Sequence, residues 1–164
     1  MLLWKGIGAY VAQRPEYCTL IGAVSVSNRY SKTSRELIVR YFEKHALLDR
    51  GAGFVKARRP LRGNFVQTWE LQALCSMLPD VDDLTGPIAD LEPDGKGIPI
   101  LVKQYLKLGG KLLAFSIDPQ FANTLDGFVM VDLRETPPEV LIRYMGKEQM
   151  REFFAWHAAR PRVA

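Results

Sequence analysis

Residues 90–133 read DLEPDGKGIPILVKQYLKLGGKLLAFSIDPQFANTLDGFVMVDL, and this stretch decides the fold. Glu92-Pro-Asp-Gly-Lys-Gly is a turn, because Pro and Gly are the strongest local punctuators. Pro99 suits the first turn of a helix, which runs to Leu108, and Gly109-Gly110 stops it. Leu112–Ile117 and Phe128–Leu133 read as strands. Between them, DPQFANTLDG is a compact connection, with Asp118-Pro119 as its opener and Asp126-Gly127 as its closer. A turn, a helix and two strands thus lie in one continuous unit.

The same reading extends outward. Leu2–Gln13 has helical spacing and ends before Pro15. Gly6 and Gly8 are costly inside it, up to ~1 kcal/mol each relative to Ala, and so predict close packing against a strand or a ligand. Thr19–Ser27 is a strand whose later half alternates Val and Ser. Ser31, Ser34 and Glu36 offer capping oxygens to a helix with the stripe Leu37, Ile38, Tyr41, Phe42 and Leu48. Gly51–Gly63 is a glycine-rich basic loop. Helices follow over Trp69–Met77 and briefly after Asp82-Asp83, where Pro87 would interrupt or confine the turn. Thr136-Pro-Pro-Glu starts a helix through Tyr144, and Lys147–Ala158 forms a last one anchored by Phe153, Phe154 and Trp156.

At 164 residues the chain predicts a single domain, 1–164. Such a length buries roughly two-thirds of the unfolded surface. The apolar share of 48% and charged share of 24% are ordinary for a globular protein. Cys18 and Cys75 form no spaced pair and read as buried free thiols in a reducing, cytoplasmic setting. No secretory leader and no membrane span is legible. Two histidines, His45 and His157, give no support to a metal centre or a Ser-His-Asp triad. Neither GxxxxGK[ST] nor a strand-linked GxGxxG is present. The aromatics do not interleave with the basic residues, so nucleic acid is not an expected partner.

Four groups of residues could carry function. Ser25 and Ser27, at the end of the first strand, could offer hydroxyls and backbone to an extended ligand, or simply face water. Asp90, Glu92, Asp94 and Lys96 could take a proton from an amine, or form a charged turn that fixes its own backbone. Asp118 and Asp126 flank Phe121 and Asn123, and could touch a substrate or only make turns. Lys56, Arg58, Arg59 and Arg62 crowd into seven residues, a patch that could dock an acidic partner or be a solvated loop.

The segments LLWKGIGAYVAQRPEY (2–17), VSVSNRYSKTSRELIVRYF (24–42), IADLEPDGKGIPILVKQYLKLGGKLLAFSIDPQFANTLDGFVMVDL (88–133) and LIRYMG (141–146) together resemble the ornithine-lipid-type, haemolysin-like N-acyltransferase branch of the GNAT superfamily. The resemblance implies an α/β fold, a GNAT-like mixed sheet with flanking helices that splays open to admit a thioester. It implies transfer of a fatty acyl group, commonly 3-hydroxyacyl, from acyl carrier protein to the amine of ornithine or another small amino acid. The donor would be acyl-acyl carrier protein or acyl-CoA, with no permanently bound cofactor and no metal. On the same footing Glu92 and Asp118 are the expected catalytic acceptor contacts. Ser25, Ser27, Asp90, Lys96 and Asp126 are the expected substrate-binding residues. The chain starts inside the helix that the family places after its first strands, so the N-terminal strands and the phosphate loop are expected to lie elsewhere, and Thr19–Ser27 to form one wall of the acyl cleft.

The competing expectation is a non-catalytic module whose basic loop docks acyl carrier protein or an anionic membrane surface. Self-association through an unpaired sheet edge is a further expectation, as is a cytoplasmic location peripheral to the inner membrane. A lysophospholipid acyltransferase is disfavoured, because no His-x4-Asp signature occurs.

Overall fold

A computed structural model of the chain describes residues 2–48, 55–61 and 68–160. Three strands make one sheet in the order β1-β3-β2: β1 (Thr19–Val26), β2 (Lys111–Asp118) and β3 (Thr124–Asp132). Both pairings are antiparallel, Ser25 opposite Asp126 and Ser116 opposite Asp126, with an irregularity between Leu112 and Ala114. The α/β class holds, whereas the three strands are antiparallel throughout. Parallel pairing among the described residues is confined to the isolated bridge Leu47–Leu112.

The helices are α1 (Leu2–Gln13), α2 (Lys32–His45), α3 (Thr68–Met77), α4 (Thr85–Leu91), α5 (Ile100–Lys107), α6 (Pro138–Met145) and α7 (Lys147–Ala158). Pro87 does not interrupt α4. It is the third residue of that helix, where its missing N–H has no intrahelical acceptor to lose. Gly109 takes φ 78° and closes α5, and Gly110 N–H donates back to the Tyr105 carbonyl at 2.8 Å. The second hairpin strand begins at Thr124, so Asp126 and Gly127 lie inside a strand rather than closing a turn. Sheet pairing overrides the local turn preference of Asp-Gly.

Sheet side chains of both apolar cores fall on one face: Leu20, Val24 and Val26; Leu112 and Phe115; Leu125, Val129 and Val131. α2 supplies Leu37, Ile38, Tyr41 and Phe42 to the first core, while α1, α6 and α7 supply Trp4, Val11, Leu141 and Phe153 to the second. Cys75 is buried in the first core as expected, but Cys18 is half-exposed, because it precedes β1 at the sheet margin. Gly8 lets α1 cross α6 closely: a Cβ there would sit 2.7 Å from the Tyr144 carbonyl oxygen. The close neighbour is thus a helix, not a strand. At Gly6 a Cβ would meet nothing within 4 Å.

The opposite sheet face is exposed along β1 and partly exposed across β3 and β2, with Thr124 buried at its end. Across it run the rows Ile21–Met130–Lys111, Ala23–Phe128–Ala114 and Ser25–Asp126–Ser116, with Thr124–Asp118 at the end. The two sheet edges also differ. The outer edge of β2 is covered at both ends: Leu48 N–H donates to Leu112 at 3.0 Å, and Ile117 N–H donates to the Arg59 carbonyl at 2.7 Å. β1 has no partner on its outer side among the described residues.

Candidate functional site

The free edge of β1 is defined by its pairing. Leu133 N–H donates to the Cys18 carbonyl at 2.8 Å, which extends the β1–β3 ladder by one pair. In an antiparallel ladder, alternate residues turn both backbone groups to the same neighbour. The even-numbered residues of β1 therefore bond to β3, and Thr19, Ile21, Ala23 and Ser25 point their N–H and C=O outward. Their side chains are exposed too. The strand carries no charge and no proline, the usual devices that block an edge. Beside this edge, α1 and β1 enclose an apolar groove of about 600 Å³ lined by Trp4, Ile7, Tyr10, Tyr17, Ile21 and Tyr105. Tyr10 and Tyr17 stack at 5.9 Å, and Trp4 meets Tyr105 edge-on at 5.3 Å. The sequence points here through Ser25 and Ser27, and through Gly6, which lines the groove. α1 supplies Trp4 and Tyr10 to the aromatic lining and Tyr17 follows it closely, but Tyr105 comes from α5, far away in sequence, and no local pattern links it to them.

Ser25 stands on the open face next to Asp126. Ser27 lies one residue beyond β1, where its Oγ accepts from Arg29 N–H at 3.2 Å and shapes the turn. A second cavity, about 360 Å³, opens at this end of the sheet and is lined by Arg58, Arg59, Ser116, Asp118, Gln120 and Asp126. Ser116 Oγ is occupied by the Arg59 backbone, whose N–H donates to it at 3.2 Å. Asp118 Oδ1 accepts from Gln120 N–H at 2.8 Å and Phe121 N–H at 3.3 Å, the local turn that Asp-Pro favours. Ala122 and Asn123 then take φ 53° and 55°. The left-handed turn is held from outside: Asn28 Nδ2 donates to the Ala122 carbonyl at 2.7 Å.

Glu92 is nearly fully buried, with 5% of its surface exposed. Ser31 is the N-cap of α2: its Oγ accepts from Ser34 N–H at 3.1 Å, while its own N–H donates to Glu92 Oε1 at 2.8 Å. In a capping box the residue three along reaches back to the N-cap N–H. Here that task passes to Glu92, sixty-one residues away in sequence. Lys96 Nζ lies 3.2 Å from Glu92 Oε2 and 3.2 Å from Asp94, and it also donates to the Arg29 carbonyl at 3.1 Å. Burial raises the Glu92 pKa, but the hydrogen bonds from Ser34, Ser31 and Lys96 outweigh it and bring it to about 2. Such a carboxylate is a weak base, and its atoms are engaged in folding. Asp90 is exposed on α4.

The structure thus brings Ser25, Asp118, Asp126, Arg58 and Arg59 to one end of the sheet. Glu92 and Lys96 sit in a separate cluster across the turn after β1. Lys56 is exposed, as are Arg58 and Arg59, and Arg62 lies outside the described residues. Among the described residues no group of His, Cys, Asp and Glu could hold a metal ion. No described helix is long and apolar enough to cross a membrane. Comparison with protein-family models, with curated proteins and with solved structures finds no match for this chain.

Proposed function

We propose that this chain carries the cleft wall and the acceptor end of a GNAT-like N-acyltransferase, which moves a fatty acyl group, 3-hydroxyacyl included, from acyl carrier protein to the amine of ornithine or another small amino acid. The open, uncharged edge of β1 beside an apolar groove supports this reading most. A pantetheine arm is extended and bears amides, so it can pair with the outward groups of Thr19, Ile21, Ala23 and Ser25 as an added strand does. The groove then takes the acyl tail, at about 0.8 kcal/mol per buried methylene. The acceptor's ammonium gives one proton to a carboxylate or a bound water, and the neutral amine attacks the thioester carbonyl. The C–N bond forms, the C–S bond breaks, the thiolate leaves as thiol with one proton, and backbone N–H groups stabilise the oxyanion. On this reading the chain works in the cytoplasm, peripheral to the inner membrane.

Titration calorimetry with a long-chain acyl-pantetheine thioester tests the cleft. Ile21 is 60% exposed, so Ile21→Asp leaves the fold intact. It should weaken binding about tenfold by placing a charge against the tail. Thiol release from long-chain acyl carrier protein, with ornithine, glycine, serine and glutamine as acceptors, tests the chemistry. An acyl thioester that does not bind, or binds Ile21→Asp equally well, removes the proposal.

A second reading is a module that docks acyl carrier protein or an anionic membrane surface without catalysis. It is favoured by the exposed Lys56, Arg58 and Arg59, whose segment is pinned to β2 by the Arg59 backbone. Exposed charges act over about 8 Å at physiological salt. The triple Ser variant should therefore bind both partners more weakly at low salt, and change stability by no more than about 0.5 kcal/mol. Unchanged binding of vesicles and of acyl carrier protein at low salt would leave this segment without an interaction role.

A further inference from the structure

We infer that Asp126 is the residue that holds the acceptor's ammonium group; this rests on the acyl-transfer reading only for what happens to the amine afterwards. Four carboxylates are expected at the substrate, Asp90, Glu92, Asp118 and Asp126, and the structure distinguishes them. Asp90 is exposed on α4. Glu92 is committed to the N-terminus of α2 and to Lys96. Asp118 is committed to its own turn. Asp126 alone of the four lies on the central strand, in the row Ser25–Asp126–Ser116, and lines the polar cavity at this end of the sheet.

Its Oδ1 is buried and accepts no hydrogen bond from any described residue. Arg58 and Arg59 line the same cavity, yet no ion pair forms between either of them and Asp126. The Ser116 hydroxyl beside it already serves the Arg59 backbone. Thr124 is the second unsatisfied group. It is two residues along the same strand, hence on the same face, and opposite Asp118. It is 7% exposed, and its Oγ1 has no partner. A buried acceptor left unpaired costs about 1–3 kcal/mol, more when charged. Asp126 lines the cavity and Thr124 follows on the same face of the strand, and the two unpaired groups suit a donor that carries positive charge. A primary ammonium has three N–H donors and fits that set. Ser25, next to Asp126 on β1, places this anchor at the end of the free strand edge. The amine is thereby held where the proposed thioester carbonyl would arrive.

Amide NMR with the full chain separates this inference from the acyl-transfer reading. Glycine and ornithine are titrated, with glycolate as the hydroxyl counterpart of glycine. The expected result is amine-dependent shifts at Thr124, Asp126 and Ser116, little response to glycolate, and about tenfold weaker amine binding in Asp126→Asn. Asp118→Asn, whose carboxamide oxygen still caps the turn, should change amine affinity less than about threefold. The spectrum of Asp126→Asn itself reports whether the fold is kept, and Asp126→Glu, which keeps the charge, should recover part of the affinity. No amine binding by the wild-type chain, or equal binding by Asp126→Asn, overturns the inference. Amine binding lost in Asp126→Asn, with no binding of the acyl-pantetheine thioester, leaves the anchor standing and removes acyl transfer. Thioester binding that weakens in Ile21→Asp, with amine binding unaltered in Asp126→Asn, does the reverse.

Discussion

Replacing Glu92 with alanine should lower stability by about 3 kcal/mol, because it strips the Ser31 N–H of its acceptor and deprives Lys96 of its buried carboxylate partner. The loss falls on the N-terminus of α2, the helix that supplies Leu37, Ile38, Tyr41 and Phe42 to the larger core. Glu92→Gln should cost less, since its amide oxygen can still accept from Ser31. Urea unfolding measures both. The pH dependence has a definite sign. Glu92 has its folded pKa held at about 2 against an ordinary 4.5, so its contribution is complete above the unfolded value. It is lost as pH falls from about 4.5 towards 2. Glu92→Ala should therefore lose less stability than the wild type over that window. Equal acid sensitivity of the two would show that the carboxylate is not held as described.

Gly8→Ala should destabilise by about 2 kcal/mol net, and Gly6→Ala, two residues away, should stabilise by up to ~1 kcal/mol. Both gain the same helix propensity. At Gly8 the new methyl would lie 2.7 Å from the Tyr144 carbonyl oxygen and 2.8 Å from its carbon, so α1 and α6 must separate. Backbone cannot rotate out of the way as a side chain can. Gly6 faces open space beside the apolar groove. Thermal melts of the two single variants give the comparison. A stabilised Gly8→Ala would show that α1 and α6 do not cross at this distance.

Local signals were legible and distant ones were not. Ser31 as a cap, Pro99 before α5, Gly109-Gly110 after it and the bounds of α7 all follow from residues within a few positions of each other. Asp126-Gly127 misleads because the pair favours a turn locally, whereas β1 flanks it from far away in sequence. Glu92 looked like a free acid because its acceptor role depends on Ser31. The groove needed Tyr17 and Tyr105 to meet α1. What distinguishes Asp126 from Asp118 is the company each keeps in three dimensions, and a single sequence carries no trace of it.

The placement of β3 between β1 and β2 also fixes an order of events during synthesis. β1 ends at Val26, and its one sheet neighbour among the described residues ends at Asp132. A ribosome adding 5–20 residues per second needs roughly 5 to 20 s to make the chain between them. Until then Val24 and Val26, fully buried in the finished fold, have no sheet to complete. The β2–β3 hairpin can close as soon as its second strand emerges, whereas β1 must be recruited across the whole helical segment, a search that slows folding. Chaperone dependence in this chain should therefore be set by the wait of β1.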